Sequence, residues 1–456
     1  MERTYIKDIK KNTGQKILLS GFVQTLRKQG GIAFLILRDV TGTVQTVIIK
    51  SNTDAFATIQ DLSLESVVTL VGESKENSQA PNGIEVLVET VEVLSKAEPE
   101  LPIPVDEKGE SETNLDTRLD WRYLDLRKER NALIFKVWTL MDQVFVDTMT
   151  DKGFIQIHSP KLMNTASESG AEVFEVNYFD RKAYLSQSPQ FYKQMAMAAG
   201  FEKVFEIGPV FRADPSFTSR HATEFTGYDL EVSFIKDHHE VMDIEESIIV
   251  AITSKVNAVY GKEIKAVFNA ITSKVNAVYG KEIKAVFNRE VPIPTSPFPR
   301  ITFAEVKEIL KGKGIKSEKP ADLTGDEEKG ISQYVLEKYG HEFVFITDYP
   351  IEGRPFYHMR YADKPDTTMS FDLLWNGLEV TTGAQREHRY DILKNQATEK
   401  GLTDATIGDY LNFFRYGCPP HGGLGAGPSR FIMKMLGIDN IREATYLYRG
   451  VKRLTP

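Results

Sequence analysis

The segment from Phe205 to Asp229, FEIGPVFRADPSFTSRHATEFTGYD, places an arginine, a histidine and an aromatic residue in one predicted strand–loop–strand hairpin. EIGPVF alternates as a strand does, ADPSFTSRH is rich in turn-forming residues, and EFTGYDLEVSF predicts the returning strand. Arg212 would then end the first strand and Phe225 begin the second. A planar guanidinium can clamp a phosphate through two hydrogen bonds, and an aromatic ring can cover a base. The hairpin therefore predicts an ATP site, although an isolated FRxD motif is more often part of an ordinary exposed hairpin.

A second segment of this kind is His421–Leu436, HGGLGAGPSRFIMKML, in which glycines 422, 423, 425 and 427 precede an apolar helical run that carries Arg430. Glycines let the backbone approach a ligand closely. The spacing does not match a dinucleotide-binding fingerprint, and the strand–helix unit that such a site requires does not follow. By itself the segment indicates only a close contact between a turn and a ligand.

The third segment is an amphipathic run from Ala132 to Met149, followed by GFIQIHSP, in which Pro160 closes a short predicted strand. The amphipathic period predicts a helix with one apolar face. A helix, a strand and a proline in this order predict an edge at which two copies of the chain pair.

In chain order, the segments Ala132–Pro160, Phe205–Asp229 and His421–Leu436 resemble motifs 1, 2 and 3 of the class II aminoacyl-tRNA synthetases. Further blocks cover nearly the whole chain and resemble the aspartyl-tRNA synthetase family in its archaeal and eukaryotic form. These blocks are LDTRLDWRYLDLR (115–127), ASESGAEVFEV (166–176), QSPQFYKQM (187–195), GLEVTTGAQREH (377–388) and the C-terminal KRLTP.

The resemblance implies an α+β protein with an N-terminal OB-fold β-barrel and a class II catalytic domain, an antiparallel sheet flanked by helices. It implies an ATP-dependent aspartate–tRNA ligase that uses L-aspartate, ATP and Mg²⁺ and charges tRNA(Asp), acting as a homodimer through the motif 1 helix and strand. Whether tRNA(Asn) is also charged stays open. Gln24 resembles the enzymes restricted to tRNA(Asp), whereas Pro81 resembles the relaxed ones.

The composition is that of a soluble globular protein, since 41% of its 456 residues are apolar and 26% are charged. No apolar run approaches the roughly 20 residues that a membrane span needs, and MERTYIKDIKK lacks the apolar core of a signal peptide. A cytoplasmic protein with no membrane partner is expected. The net charge of −8 argues against indiscriminate nucleic-acid binding, although residues 1–50 hold nine Lys or Arg against three Asp or Glu.

The chain is predicted to have two domains and a linker. Five strand-like runs between residues 16 and 96 alternate with Gly, Asn and Asp turns, as in a small barrel. The stretch from Lys96 to Thr113 is rich in Pro, Glu, Lys and Ser and indicates a linker. The predicted boundaries are an OB-fold anticodon-binding domain at 1–100, a linker or hinge at 101–130 and a catalytic domain at 131–456.

An OB-fold binds single-stranded nucleic acid by stacking bases on the open face of its sheet. For Phe34 taken alone, a place in the barrel core is the ordinary interpretation. By resemblance to the family, the anticodon-binding residues are Phe22, Gln24, Arg27, Phe34 and Gln45.

The attacking carboxylate of an amino acid is already ionised at pH 7, so activation depends on positioning and charge neutralisation rather than on a general base. The resemblance implies that Arg212 binds the α-phosphate of ATP and that His221 and Arg430 bind the outer phosphates. It also implies that Phe225 stacks on one face of adenine and that Arg430 covers the other face. Arg212 and Arg430 are thus the expected catalytic residues. The other ATP-binding residues that it implies are Asp214, Arg220, Glu379 and Gly427, and it assigns Mg²⁺ to the oxygen ligands Glu379 and Thr382.

Specificity for aspartate is predicted to depend on Lys193 and Arg386. Both side chains only donate hydrogen bonds, so they suit a carboxylate and leave the amide nitrogen of asparagine facing cations. Asp229 would offset their charge and order them. The remaining aspartate contacts that the resemblance implies are Gln190 at the backbone end, Glu168 at the α-ammonium group, and Thr382.

An identical 19-residue segment, AITSKVNAVYGKEIKAVFN, occupies 251–269 and again 270–288. Two identical copies indicate a recent duplication or an insertion rather than a solenoid, which needs at least about three units. Each copy predicts the end of a helix at Tyr260 or Tyr279, a glycine stop, and a short strand KEIKAVF. The surplus copy is expected to be accommodated locally between about 255 and 288, as a looped-out or alternatively registered segment, because loop closure entropy grows only slowly with length.

Four residues depart from the family pattern. Asp214 and Ser429 stand where Glu is usual, and Tyr448 and Gly450 where Pro and Asp are common. Two alternatives therefore stay open. One is an asparaginyl-tRNA synthetase, which Lys193 opposes, and the other is a catalytically inactive synthetase-like RNA-binding protein, which the intact phosphate-binding arginines oppose.

Overall fold

The computed structural model describes residues 1–105, 112–165, 173–279 and 291–456, with side chains from 263 to 279 left out. The chain divides into two compact units, Met1–Thr117 and Arg118–Pro456. The finer boundaries at residues 100 and 130 stay predictions. Among the described residues, no helix has the length and apolar character needed to cross a lipid bilayer.

The first unit is a closed five-stranded barrel with the strand order β1-β2-β3-β5-β4. In β2 the alternate residues Ala33, Leu35 and Leu37 are fully buried, which is the period-2 pattern of a strand with one face in a core. The predicted OB-fold barrel is confirmed. Its elements are a 3₁₀ helix Ile6–Asn12, β1 Lys16–Gln29, β2 Ile32–Asp39, β3 Gly42–Ile49, α1 Thr53–Thr58, β4 Val67–Glu76, a 3₁₀ turn Pro81–Gly83 and β5 Ile84–Ser95.

The second unit is built on an eight-stranded sheet. The strands are β6 Ile155–Gln156, β7 Leu162–Met163, β8 Glu175–Tyr178, β9 Arg181–Leu185, β10 Lys203–Phe211, β11 Glu224–Ser233, β12 Arg300–Thr302, β13 Phe343–Thr347, β14 Ser370–Trp375, β15 Glu379–Arg386 and β16 His421–Ala426. The large sheet has the order β12-β13-β14-β15-β16-β11-β10-β6, and β7, β9 and β8 form a separate small sheet. Pairing is antiparallel except at the two ends, β12 with β13 and β10 with β6. The expected antiparallel sheet flanked by helices is therefore confirmed.

Helices supply the rest of the fold. Their bounds are α2 Leu115–Asp120, α3 Arg122–Asp125, α4 Glu129–Asp151, α5 Gln190–Ala198, α6 His238–Tyr279, α7 Phe303–Gly312, α8 Gly325–Tyr339, α9 Tyr390–Glu399, α10 Asp404–Arg415, α11 Pro428–Leu436 and α12 Ile441–Ala444, with a 3₁₀ turn at Ile351–Gly353.

The main core lies between the sheet and helices α4 and α6. Residues Val137, Met141, Phe145 and Met149 repeat every fourth position along α4 and are all buried. The Phe145 ring stacks on Tyr228 of β11 at a centroid distance of 4.3 Å. Because side chains alternate along a strand, this packing turns the neighbours of Tyr228 towards the opposite face of the sheet.

The duplicated segment does not follow its predicted path. Helix α6 spans 42 residues and continues through Gly261 to Tyr279, so KEIKAVF of the first copy is helical. The glycine stop at Gly261, the strand of the first copy and a looped-out path up to Tyr279 are wrong. The alternative of a shifted register stays a prediction, and the strand predicted in the second copy falls outside the described residues. A glycine inside a helix costs only about 1 kcal/mol relative to alanine, which by itself is too little to end a long helix.

Deleting residues 270–288 is expected to leave aspartate activation within a few-fold of the parent, with equal or higher thermal stability. Among the side chains of α6 that the structure describes, which end at residue 262, the buried ones lie between His238 and Val256, upstream of the deletion. Pyrophosphate exchange and a melting curve measure the two effects. An unfolded or inactive deletion variant would show that the second copy is required by the fold.

Candidate active site

A cavity of about 400 Å³ opens on the face of the sheet away from α4 and α6, over β10, β11, β15 and β16. It brings together residues that are up to 263 positions apart in the chain, since Gln187 and Gly450 both line it. Glu168 lies outside the described residues. The predicted site residues that line the cavity are Gln190, Lys193, Arg212, Asp214, Arg220, His221, Phe225, Asp229, Glu379, Thr382, Arg386, Gly427 and Arg430.

The β10–β11 hairpin positions Arg212 and Phe225 at one end of the cavity. Val210 pairs with Phe225, and the Arg212 amide donates to the carbonyl of Thr223 at 2.9 Å, so the ladder continues one step past the strand ends. The guanidinium carbon of Arg212 lies 5.6 Å from the centre of the Phe225 ring. A flat cation and a flat ring thus stand side by side, as a phosphate and its attached base require.

Arg430 approaches the same end from α11. Gly427 caps this helix, and Arg430 Nη1 donates to the backbone carbonyl of Glu379 at 2.7 Å. The same nitrogen lies 3.4 Å from Glu379 Oε1. Backbone and side chain of one residue therefore hold the guanidinium over the cavity.

His221 lies in the loop between β10 and β11, where Ser216 Oγ is 3.1 Å from its Nδ1 atom. Burial and the nearby Arg430 lower the pKa of His221, so its imidazole is neutral near pH 7. A polyanionic ligand would reverse this effect and favour the charged form. Arg220 of the same loop donates to Glu328 Oε2 at 2.7 Å, which anchors the loop to α8.

Glu379 and Thr382 stand together on β15, with Thr382 Oγ1 3.4 Å from Glu379 Oε1. Burial and the negative charge of Asp372 raise the pKa of Glu379, although Arg430 opposes the shift. A bound cation would favour the charged form of this carboxylate and oppose the shift. Within the described ranges no group of three His, Cys, Asp or Glu surrounds a metal position, so phosphate oxygens would have to complete the coordination.

At the other end of the cavity, Lys193 projects from α5 into a buried ion pair. Its Nζ atom donates to Asp229 Oδ1 at 2.8 Å and to the carbonyl of Leu424 at 2.9 Å, and only 2% of the residue is exposed. Burial raises the pKa of Asp229 in spite of this lysine. The predicted pairing of Asp229 with the specificity residues is thus present for Lys193.

Arg386 is held by Glu231, which the sequence analysis missed. Arg386 Nε donates to Glu231 Oε1 at 2.9 Å, and Lys193 Nζ lies 3.5 Å from Glu231 Oε2. Although burial opposes ionisation, Arg386 and Lys193 hold the pKa of Glu231 below its usual range. One signal could have found this residue, because Glu231 lies two positions after Asp229 on the same strand and must share its face.

His358 is a second residue that the sequence analysis missed. Arg386 Nη1 is 3.1 Å from His358 Nε2, and since a guanidinium only donates, this nitrogen must accept. Burial and Arg386 hold the pKa of His358 well below its usual range, which keeps the ring neutral and suited to that role. His358 thus orients the arginine without adding charge.

Two glycines of β16 have a packing role beside the predicted approach to a ligand, which stays a prediction. A Cβ atom on Gly423 would lie 2.2 Å from Glu231 Oε2, and one on Gly425 would lie 3.1 Å from Asp229 Oδ1. Gly423 and Gly425 pair across the ladder with Glu231 and Asp229. These two glycines make room for the buried carboxylates, which in turn hold the cations.

The predicted anticodon residues share the outer face of β1, β2 and β3. Arg27 pairs with Phe34, and Gln45 pairs with Ile36, diagonal to Phe34. Phe34 is half-buried on this face, whereas its neighbours Ala33 and Leu35 fill the core. The ring is therefore available for stacking from outside the barrel.

The two remaining anticodon candidates lie on β1. The Phe22 ring is 5.5 Å from the guanidinium carbon of Arg38 on β2. Gln24 sits where the pairing of β1 with β2 shifts by one residue, between Val23 and Thr25. Such a bulge re-aims a side chain, in this strand the amide of Gln24.

Two known families match this chain. Residues 114–449 match the family described as tRNA synthetases class II (D, K and N). Residues 17–94 match the OB-fold nucleic acid binding domain. Together they cover both units of the structure.

Similar proteins extend over the full length. The chain is 41% identical over 445 residues to the aspartate–tRNA(Asp/Asn) ligase of Methanopyrus kandleri, covering 97% of this chain and 96% of the relative. It is also 41% identical over 445 residues to the aspartate–tRNA(Asp) ligase of Pyrococcus abyssi, covering 97% of each.

Solved structures of two kinds share the fold. The asparaginyl-tRNA synthetase of Pyrococcus horikoshii with bound asparaginyl-adenylate has a TM-score of 0.86 at 33% identity, covering 100% of both chains. A putative aspartyl-tRNA synthetase of Leishmania major has a TM-score of 0.85 at 30% identity, covering 100% of this chain and 96% of the other. The fold alone therefore does not distinguish an enzyme for aspartate from one for asparagine. The residues that line the cavity must determine this specificity.

Proposed function

Since this chain belongs to the class II aminoacyl-tRNA synthetases, and among them to the aspartate–tRNA ligases, we propose that it activates L-aspartate with ATP and transfers the aspartyl group to the 3′ end of tRNA(Asp). The reaction makes aspartyl-adenylate and pyrophosphate, followed by aspartyl-tRNA and AMP.

The observation that carries this proposal is the arrangement of Lys193 and Arg386 with Asp229 and Glu231. The two cations share Glu231, lie at 3.5 and 2.9 Å from its oxygens, and are both buried. They present donors only, so a carboxylate satisfies them, whereas an amide nitrogen would leave buried charge unpaired. A site of this kind rejects the mismatched analogue by a factor of about 10⁴.

The first step joins the α-carboxylate oxygen of aspartate to the α-phosphorus of ATP and breaks the bond to the bridging oxygen, which leaves with pyrophosphate. Arg212 neutralises charge on the α-phosphoryl oxygens while its neighbour Phe225 covers adenine. Arg430 and His221 stabilise the outer phosphates as they leave. His221 is neutral before ATP binds, because burial and Arg430 lower its pKa, and gains a proton more readily once the phosphates are present.

The residues present fit the Mg²⁺ that accompanies ATP. Glu379 and Thr382 supply adjacent hard oxygen ligands, with Thr382 Oγ1 3.4 Å from Glu379 Oε1. When bound, the ion would offset phosphate charge and help orient the leaving group. Arg430, which donates to Glu379, would keep this carboxylate in place.

In this proposal, Glu168 binds the α-ammonium group of the substrate aspartate. Gln190 contacts the backbone end of the same substrate. Gln190 is buried at the start of α5, where its Nε2 atom donates to Gln194 Oε1 at 2.9 Å. This bond leaves the amide oxygen of Gln190 as an acceptor for a substrate donor.

The anticodon of tRNA(Asp) is assigned to the outer face of β1, β2 and β3, with bases stacked on Phe34. The aspartate–tRNA(Asp/Asn) ligase of Methanopyrus kandleri and the aspartate–tRNA(Asp) ligase of Pyrococcus abyssi are equally similar to this chain, at 41% identity. Aminoacylation of both transcripts is the measurement that separates the two specificities.

The proposal includes a homodimer formed through α4 and β6, working in the cytoplasm. Strand β6 is the last strand of the large sheet, and Ile155 on it is 48% exposed. An exposed edge strand favours pairing with a second strand. A sedimentation mass twice that of the chain would support this part.

Aspartate-dependent exchange of pyrophosphate into ATP tests the proposed function. We expect aspartate to support exchange and asparagine to fail by about four orders of magnitude. Exchange with asparagine instead would favour the asparagine enzyme. Binding of an ATP analogue without exchange by either amino acid would favour the inactive RNA-binding protein.

A further inference from the structure

The four residues that depart from the family pattern all line one cavity. Asp214 lies in the loop between β10 and β11, and Ser429, Tyr448 and Gly450 lie in the last part of the chain, and each contributes to the wall of the candidate active site. The C-terminal pair, Tyr448 and Gly450, has the clearest geometry.

Tyr448 is 93% buried, since only 7% of it is exposed, and its hydroxyl donates to the backbone carbonyl of His221 at 3.2 Å. Next to it, the carbonyl of Arg449 accepts from the amide of Thr223 at 3.1 Å. Thr223 in turn accepts from the amide of Arg212. The C-terminal segment is thus tied to both arms of the phosphate-binding hairpin.

The segment itself is anchored by Arg122, which is almost fully buried. Its guanidinium donates to the carbonyls of Glu443 at 2.8 Å, Thr445 at 2.9 Å and Tyr446 at 3.2 Å. Arg442 further packs over the Tyr448 ring, 5.3 Å from its centre. Tyr448 therefore extends from a rigid base.

Gly450 is required by Tyr448. A Cβ atom on Gly450 would lie 2.3 Å from Tyr448 Oη and 2.6 Å from Cε1, closer than side-chain atoms approach. The ring occupies the volume that any side chain at position 450 would need. A side chain at position 450 therefore requires a change at Tyr448, whereas Tyr448 can be replaced while Gly450 is kept.

Resting on the proposed function, we propose that Tyr448 is a positioning residue for ATP. Its hydroxyl holds the His221 end of the phosphate-binding loop, and the glycine at position 450 leaves the space that the Tyr448 ring occupies. The pair acts at the nucleotide end of the cavity and leaves the Lys193–Arg386 end untouched. Its effect is specific to ATP.

The first test is Tyr448→Phe, which removes the hydroxyl and keeps the ring. We expect the ATP KM, and the Kd of a non-hydrolysable ATP analogue, to rise roughly five-fold, the effect of losing one hydrogen bond, while the aspartate KM is unchanged. Tyr446→Phe is the matched control, because Tyr446 is 61% exposed and does not line the cavity. Equal rises in both KM values, or none in either, would overturn the proposal.

The second test is a double-mutant cycle. Gly450→Ala alone should weaken ATP binding by roughly ten-fold or more through overpacking, whereas in a Tyr448→Ala background it should cost less than about two-fold. Equal penalties in both backgrounds would contradict the proposed pairing. Binding of the ATP analogue does not require aspartate. If the protein bound the analogue but catalysed no exchange, the proposed function would be wrong, and the double-mutant cycle would still test the role of Tyr448.

Discussion

Arg212→Lys is expected to lower the rate of aspartate activation by at least about 100-fold, the scale of losing one preorganised charge contact. Lysine keeps the charge but loses the planar fork that can hold two phosphoryl oxygens at once. The stacking geometry also changes, since the guanidinium carbon lies 5.6 Å from the Phe225 ring. Pyrophosphate exchange at saturating ATP and aspartate measures the loss in kcat.

Arg415→Lys is a suitable control, because Arg415 is exposed on α10 and does not line the cavity. Its exchange rate should equal that of the parent. If Arg212→Lys folded normally, as judged by its melting temperature, and kept the parental rate, the assignment of the α-phosphate to Arg212 would be wrong.

Lys193→Met should raise the aspartate KM by roughly 100-fold or more, the effect of truncating one partner of a buried charge pair. The ATP KM should stay within about three-fold, because the lysine lies at the opposite end of the cavity from Arg212 and is paired to Asp229 at 2.8 Å. Initial rates with each substrate varied in turn separate the two constants.

This substitution also leaves Asp229 buried without its cation, which can destabilise the fold. The double variant Lys193→Met with Asp229→Asn removes both charges and should recover the melting temperature without recovering aspartate affinity. Loss of ATP binding in either variant would place Lys193 in the nucleotide site and remove the argument for aspartate specificity.

Local patterns were enough to predict much of the architecture. The five strands of the barrel and the β10–β11 hairpin follow from alternation and turn residues, which depend on neighbours a few positions away. The resemblance then selected the residues that line the cavity, from Gln190 to Arg430, although their roles stay predictions.

The continuation of α6 through Gly261 was not predicted. The rule for helix ends considers the residue type of the glycine and not the residues around it. In the structure the residues on both sides keep their helical hydrogen bonds. The preference of a single residue is worth about 1 kcal/mol, which its surroundings easily exceed.

Residue type and spacing thus determined which groups could bind phosphate and carboxylate. The charge and the hydrogen-bonding groups belong to the side chain itself, and its position along a strand or helix follows from the local sequence. Tertiary structure alone decided their partners. Glu231 meets Arg386 across 155 positions, and Tyr448 meets His221 across 227. The reason is physical: a buried charge or donor needs a partner in space, and the backbone that brings distant strands together, with glycines opposite Asp229 and Glu231, sets which partner it finds.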